Sequence, residues 1–309
     1  MKLWTKWALG GASALAIGLF AAGNYFFDVA QARYAPGNHP DALREKSNPL
    51  YEDEKTFLAL DKQTWHITTK DGLKLDAWYV PAAKPTTKTA VLAHGWHNNK
   101  TTMAVYGQLF RTLGYNVLIP DDRAAGDSQG KYVGYGYLDR RDYIQWLNKV
   151  VDKNGTDSQI VMMGMSMGAA ATMMTAGESD VPTQVKAFIE DAGFTSVKDE
   201  LSFQAGAMYH IPAFPLIDIV SGISKVRAGY TYGEASALEA VKRNKRPMFF
   251  IHGGHDTFVP TKMVYQLYDA AKGPKELWVA PGSEHVQSLT DHRTEYYARV
   301  KAFLAKYVK

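Results

Sequence analysis

Gly164-Met165-Ser166-Met167-Gly168 sets one serine between two glycines, directly after the apolar run Gln159–Gly164 and directly before Ala169, Ala170 and Ala171. A serine on a tight strand-to-helix turn projects its hydroxyl out of the sheet, and the flanking glycines let the backbone close around it. The helix N-terminus beneath favours developing negative charge. A hydroxyl is a weak nucleophile, so it needs a general base, and the base needs an orienting carboxylate. His285, in Pro281-Gly282-Ser283-Glu284-His285, is the base candidate. Asp256, in His252-Gly253-Gly254-His255-Asp256, is the acid candidate. Asp191, which ends an earlier apolar run, is the competing carboxylate, and Asp256 is preferred for its place shortly before His285. Two backbone N–H groups are required for an oxyanion. Met167 follows the serine, and Trp96 lies in His94-Gly95-Trp96-His97 after another apolar run. His94, His97, His252 and His255 show no His-x-His or His-Glu-x-x-His spacing, so no metal is expected, and His252 and His255 read as loop or pocket-wall residues.

These residues need a scaffold that brings distant loops together. Thr64–Thr69 and Leu73–Val80 alternate apolar and polar residues across Asp71-Gly72, a hairpin signal. Beyond them, short continuous apolar runs alternate with helical stretches, the pattern of a parallel sheet buried on both faces. The strands are Thr89–Ala93, Asn116–Pro120, Gln159–Gly164, Ala187–Asp191, Met248–His252 and Glu276–Val279. The helices are Met103–Leu113, Leu138–Val151, Met167–Thr175, Lys262–Ala271 and Thr290–Tyr307. The fold class is therefore α/β, a mostly parallel sheet with an N-terminal antiparallel hairpin. Residues 195–245 interrupt the alternation with helices broken by Pro212, Pro215, Gly229 and Gly233, and read as a small helical lid. The expected acyl pocket is narrow and apolar, walled by Trp96, Met165, Met167, Phe194, Phe258 and Val286, and suited to short or medium chains. Phe203, Met208, Phe214 or Leu216 of the lid are candidates for its far wall.

Residues 1–32 form a separate segment. Lys2 and Lys6 precede an uncharged run, Trp7–Phe27, of 21 residues, enough to cross a bilayer. It reads as an uncleaved signal anchor, or as a signal peptide cut after Ala30-Gln31-Ala32. Either way the lysines stay inside and the catalytic part is exported, membrane-held in the first case and secreted in the second. Residues 33–62 read as a tether and short packing helix, and 63–309 as the catalytic domain. The 309-residue chain carries 35 basic and 31 acidic side chains, a net of +4 that is too weak and scattered to suggest a nucleic-acid partner. It has no cysteine, which excludes disulfides, thiolate metal sites and a cysteine nucleophile.

Over about residues 63–309 the chain resembles the α/β-hydrolase superfamily of serine hydrolases. Besides the Ser166, Asp256 and His285 order, Pro120-Asp121-Asp122-Arg123-Ala124-Ala125-Gly126-Asp127-Ser128-Gln129-Gly130 is similar to the superfamily's D-x-R-G-H-G-x-S-x-G loop, with Ala-Ala in place of Gly-His. Gly134–Trp146 and the N-terminal apolar segment resemble a bacterial membrane-associated subgroup. The resemblance implies esterase, thioesterase, lipase or peptidase chemistry on a small-molecule ester or short peptide, and no cofactor. The absence of an HGGG-type oxyanion segment argues against bulky triglycerides. A carboxylic-ester hydrolase working through an acyl-enzyme is the leading expectation, a peptidase, amidase or thioesterase the alternative, and a non-catalytic binding protein on the same fold the third.

Overall fold

Asp71-Gly72 makes the turn its sequence requires. Gly72 takes φ +88°, open to glycine at no steric cost, and Thr69 N–H donates to Leu73 O across the turn. The strands it joins, β1 (Gln63–Thr68) and β2 (Lys74–Val80), pair antiparallel in register from Gln63 opposite Tyr79 to Thr68 opposite Lys74. This computed structural model describes residues 3–33 and 44–309, with the side chains of the first helix from residue 17 onward.

In chain order the elements are α1 (Leu3–Gln31), α2 (Tyr51–Leu58), β1, β2, β3 (Lys88–Ala93), α3 (Ala104–Thr112), β4 (Asn116–Pro120), α4 (Asp139–Asn154), β5 (Gln159–Met165), α5 (Met167–Ala176) and β6 (Val185–Asp191). Then follow α6 (Val197–Tyr209), α7 (Ala213–Arg227), α8 (Ala237–Val241), β7 (Met248–Gly253), α9 (Lys262–Ala270), β8 (Lys275–Ala280), α10 (Ser288–Asp291) and α11 (Arg293–Tyr307). The eight strands form one sheet in the order β1-β2-β4-β3-β5-β6-β7-β8. β2 pairs antiparallel with β4, and every pairing from β4 to β8 is parallel. This is the α/β-hydrolase fold.

Strand alternation sorts the core into two layers. On β5, Ile160 and Met162 face a layer shared with α4, α5, α9 and the lid, while Val161, Met163 and Met165 face a layer shared with α2, α3 and α11. Burial on both faces explains why β5 reads as a continuous apolar run. The packing helix expected in residues 33–62 is α2. Its buried Phe57 packs against α3 at Gly107, where an added Cβ would stand 2.5 Å from the ring.

The lid consists of α6, α7 and α8. Ser196 caps α6 by accepting from Asp199 N–H at 3.0 Å, and His210 ends it in the left-handed region. The last turns of α1 pack on α7. An added Cβ at Gly23 would stand 2.7 Å from Ile219 Cγ2, and Phe27 is fully buried. Among the described residues no helix is long and apolar enough to cross a membrane. Of the Trp7–Phe27 run, the side chains before residue 17 lie outside the described residues, as do residues 34–43 of the expected tether.

Candidate active site

Three loops at the C-terminal ends of parallel strands meet beside the sheet's centre. Ser166 follows β5, Asp256 follows β7 and His285 follows β8. Ser166 sits at φ +54°, the left-handed region, a strain on the order of 1–3 kcal/mol for a non-glycine residue. Its backbone is locked by Ser166 N–H donating to Asp191 O at 2.8 Å. Both neighbouring glycines are sterically required. An added Cβ would stand 2.1 Å from Gly168 O at Gly164, and 2.2 Å from Ala93 O at Gly168. The turn therefore presses the first turn of α5 onto the end of β3.

Ser166 Oγ donates to His285 Nε2 at 2.9 Å, and His285 Nδ1–H donates to Asp256 Oδ2 at 2.7 Å. Asp256 is almost fully buried and fully satisfied. Its Oδ1 accepts from the N–H groups of Phe258 and Val259, each at 2.9 Å, and its Oδ2 also faces His252 Nε2 at 3.1 Å. Burial alone would push this carboxyl up, but the hydrogen bonds from His252 and His285 outweigh it and hold it down to about 2. The competing carboxylate, Asp191, points elsewhere: its Oδ2 accepts from Tyr296 at 2.8 Å and Tyr106 at 3.2 Å.

His252, expected only as a loop or wall residue, is a second partner of the acid and also donates to Val259 O at 2.9 Å. Its position four residues before Asp256 was the available signal. His255 is exposed. The loop after β3 is organised by His94, which is fully buried. Its Nδ1–H donates to Gly95 O at 2.8 Å and its Nε2 accepts from Asp122 N–H at 3.0 Å, and burial lowers its basicity so that it stays neutral. An added Cβ at Gly95 would lie 3.5 Å from Ser166 Cβ, so Trp96 directly follows a residue packed on the serine turn. Met167 N–H is one of the first-turn donors a helix leaves without an intrahelical acceptor.

A cleft of about 110 Å³ opens on Ser166. Of the expected wall residues, Trp96, Met167, Phe194 and Phe258 line it, and so do Met208 and Leu216 of the lid. Met165 and Val286 do not. Met165 is the next residue on the alternating strand and turns to the opposite layer of the sheet, and Val286, at φ +57°, packs against that same layer. Phe203 is likewise outside the lining and Phe214 is 78% exposed.

Two kinds of wall residue were invisible in the sequence. Phe26, Val29 and Ala30 of α1 line the cleft, and so does Glu200 of α6. Glu200 is buried. Its Oε1 accepts from Gln204 Nε2 at 2.7 Å, and its Oε2 has no partner among the described residues. Burial pushes its carboxyl up to about 7. Asp76, Asp121 and Asp127 gather within reach of one cation, but the Lys100 ammonium fills that place, at 2.8, 2.6 and 2.6 Å from the three carboxylates.

A left-handed serine at a strand–turn–helix junction, bonded in line to histidine and aspartate on the fold described above, defines a serine hydrolase of the α/β type. Residues 102–309 match the model of the prolyl oligopeptidase family, and the chain belongs to that family. It is 32% identical over 268 residues to YqkD, an uncharacterized protein of Bacillus subtilis (strain 168), covering 85% of this chain and 86% of that one. Among solved structures, an esterase of Pyrococcus furiosus superposes with a TM-score of 0.66 at 23% identity, covering 88% of this chain and 100% of that one. An acylaminoacyl peptidase of Pyrococcus horikoshii superposes with a TM-score of 0.62 at 19% identity over 82% of this chain and only 43% of the other. At these identities the structural likeness concerns the fold.

Proposed function

We propose that the protein hydrolyses carboxylic esters through an acyl-enzyme, with Ser166 as nucleophile, His285 as general base and acid, and Asp256 as the carboxylate that orients the imidazole. The observation that carries this reading is the unbroken chain Ser166 Oγ to His285 Nε2, at 2.9 Å, and His285 Nδ1 to Asp256 Oδ2, at 2.7 Å, at the floor of a largely apolar cleft. Ser166 Oγ attacks the carbonyl carbon as His285 takes its proton. The tetrahedral oxyanion is held by the N–H groups of Met167 and Trp96. His285 then protonates the leaving alcohol, and water, deprotonated by the same imidazole, releases the acid. Asp256 stabilises the imidazolium and stays ionised throughout, which its low carboxyl pKa of about 2 permits.

The cleft favours an acyl group that buries apolar surface, worth about 0.8 kcal/mol per methylene until the space is filled. Membership of the prolyl oligopeptidase family favours a second reading, cleavage of short peptides or amides by the same triad. We further propose that the segment carrying Lys2, Lys6 and the uncharged Trp7–Phe27 run tethers the catalytic domain to the outer side of a bacterial membrane, as in the subgroup that the N-terminal sequence resembles. Measuring kcat/KM for p-nitrophenyl acetate, butyrate and octanoate beside peptide anilides tests the substrate reading. Ester turnover at least a hundredfold above anilide turnover is expected, and the reverse ratio would assign the protein to the peptidases.

A further inference from the structure

We propose that α1 is a working wall of the acyl pocket as well as a tether, and that the group transferred to Ser166 is a medium-length straight chain lying along the last turns of that helix, the acyl end of an amphiphile. The proposal rests on acylation of Ser166 and is independent of whether the leaving group is an alcohol, a thiol or an amine.

The end of α1 is keyed into the catalytic domain through Phe27, Asp28, Ala30 and Gln31. Phe27 is fully buried under the Arg227 guanidinium, 4.3 Å from its ring centre, and Asp28 pairs with that same guanidinium at 2.8 Å. Ala30 O accepts from Trp96 Nε1 at 2.9 Å and from Tyr135 OH at 2.6 Å. Gln31 is fully buried. Its Nε2 donates to Tyr230 OH at 2.8 Å and to Val133 O at 3.1 Å, and its Oε1 accepts from Tyr232 OH at 3.2 Å. Val133 N–H donates to Gln31 O, and Arg33 N–H to Lys131 O, each at 2.8 Å. A membrane helix joined to its domain by a loose tether needs none of these contacts.

What this docking achieves is visible in the cleft. Phe26, Val29 and Ala30 stand on the wall of the same cavity that has Ser166 and Met167 on its floor. Through Ala30 O the helix also holds the Trp96 indole, and Trp96 supplies an oxyanion N–H in the proposed chemistry. Phe26 meets Tyr209 of the lid edge-on at 5.2 Å. Beside that contact, Met208 and Tyr209 line the cavity while 57% and 42% exposed, which makes them its rim. The wall is therefore shared between α1 and the lid. An acyl chain entering at this rim leaves water for apolar side chains over its whole length, and the polar part of the molecule stays outside. Cleavage after Ala32 would remove one side of this cavity together with the acceptor for Trp96.

Alkyl fluorophosphonates test the wall directly, because the alkyl group on phosphorus occupies the acyl pocket. Ser166 Oγ bonds to phosphorus, the P–F bond breaks with loss of fluoride, and His285 takes the hydroxyl proton. Second-order labelling rates of the full chain in detergent are measured for ethyl, octyl and dodecyl probes. In the wild type octyl exceeds ethyl at least tenfold. Val29→Trp fills the cavity from the α1 side and lowers the octyl-to-ethyl ratio at least tenfold. Phe26→Ala widens it and raises the dodecyl-to-octyl ratio at least threefold. Val226→Trp, on an exposed face of α7 outside the lining, leaves both ratios as they are. Ratios in Val29→Trp and Phe26→Ala that stay within twofold of wild type overturn the proposal, and should Val29→Trp fail to fold, Phe26→Ala decides alone. A wild type that labels with this chain-length preference but cleaves no ester removes the ester reading and leaves the wall standing.

Discussion

Asp256 takes four polar contacts with two oxygens, and two of them come from histidines in different roles. His285 lies between it and the nucleophile, whereas His252 is fully buried behind it. The acid is thereby fixed in place and kept charged, which is what an imidazole needs from its partner. Replacing Ser166 by Ala should lower kcat by about 10⁶ and Asp256→Asn by about 10⁴, both with the fold intact by circular dichroism. A Ser166→Ala protein retaining a tenth of wild-type turnover would remove that residue from the nucleophile's role. Glu200 gives a second residue-scale prediction through stability. Its folded pKa is raised from 4.5 to about 7, so below pH 4.5 it is protonated folded or unfolded and costs nothing. Between 4.5 and 7 the unfolded chain ionises and the folded one does not, so stability falls as pH rises, by at most about 3 kcal/mol. Glu200→Gln should therefore melt higher than wild type at pH 8 and nearly level with it at pH 5 in scanning calorimetry. An equal difference at both pH values would show that this carboxyl does not titrate with folding.

At the scale of elements, the strand–turn–helix at Ser166 was legible because its geometry admits few sequences: Gly164 and Gly168 each lie within about 2 Å, at an added Cβ, of backbone carbonyl oxygen. The parallel strands were legible for a similar reason, since burial on both faces leaves no choice but apolar residues. Pocket residues were legible only where a strand end pointed one way. Phe194 lies in the loop after β6 and lines the cleft, whereas alternation along β5 turns Met165 to the opposite layer. The lid could not be read through Pro212 and Pro215, and so Phe214 stands in solvent where Leu216 faces the cleft. Least legible was α1. A largely apolar helix suits lipid and protein alike, and Asp28 and the buried amide of Gln31 are the polar groups that mark the face that docks. Gln31→Ala should lower stability by about 1–3 kcal/mol, because it strands the buried Tyr232 hydroxyl and removes a donor to Tyr230, and should also slow ester turnover by loosening Ala30 beneath Trp96. Unchanged melting in Gln31→Ala would mean that α1 is only loosely associated with the lid.

For the whole molecule, two apolar layers sandwich one sheet, and the lid and the N-terminal helix are gathered on the layer that also holds the cleft. In the proposed reading, α1 serves as both tether and pocket wall. The proposed reading requires that α1 be retained. Protease added to intact cells should degrade the catalytic domain, and the N-terminal peptide of the isolated protein should still contain Trp7. Protein recovered from the medium and beginning at Arg33 would contradict membrane tethering.

The central claim is that Ser166, activated by His285 and Asp256, is the site of covalent catalysis. It is tested most directly by labelling the full chain with a fluorophosphonate and mapping the adduct by peptide mass spectrometry. The account predicts a single adduct on the peptide carrying Gly164-Met165-Ser166-Met167-Gly168, lost in Ser166→Ala and slowed at least a thousandfold in His285→Ala. An unlabelled wild type, or an adduct on another residue with ester turnover abolished, would contradict it.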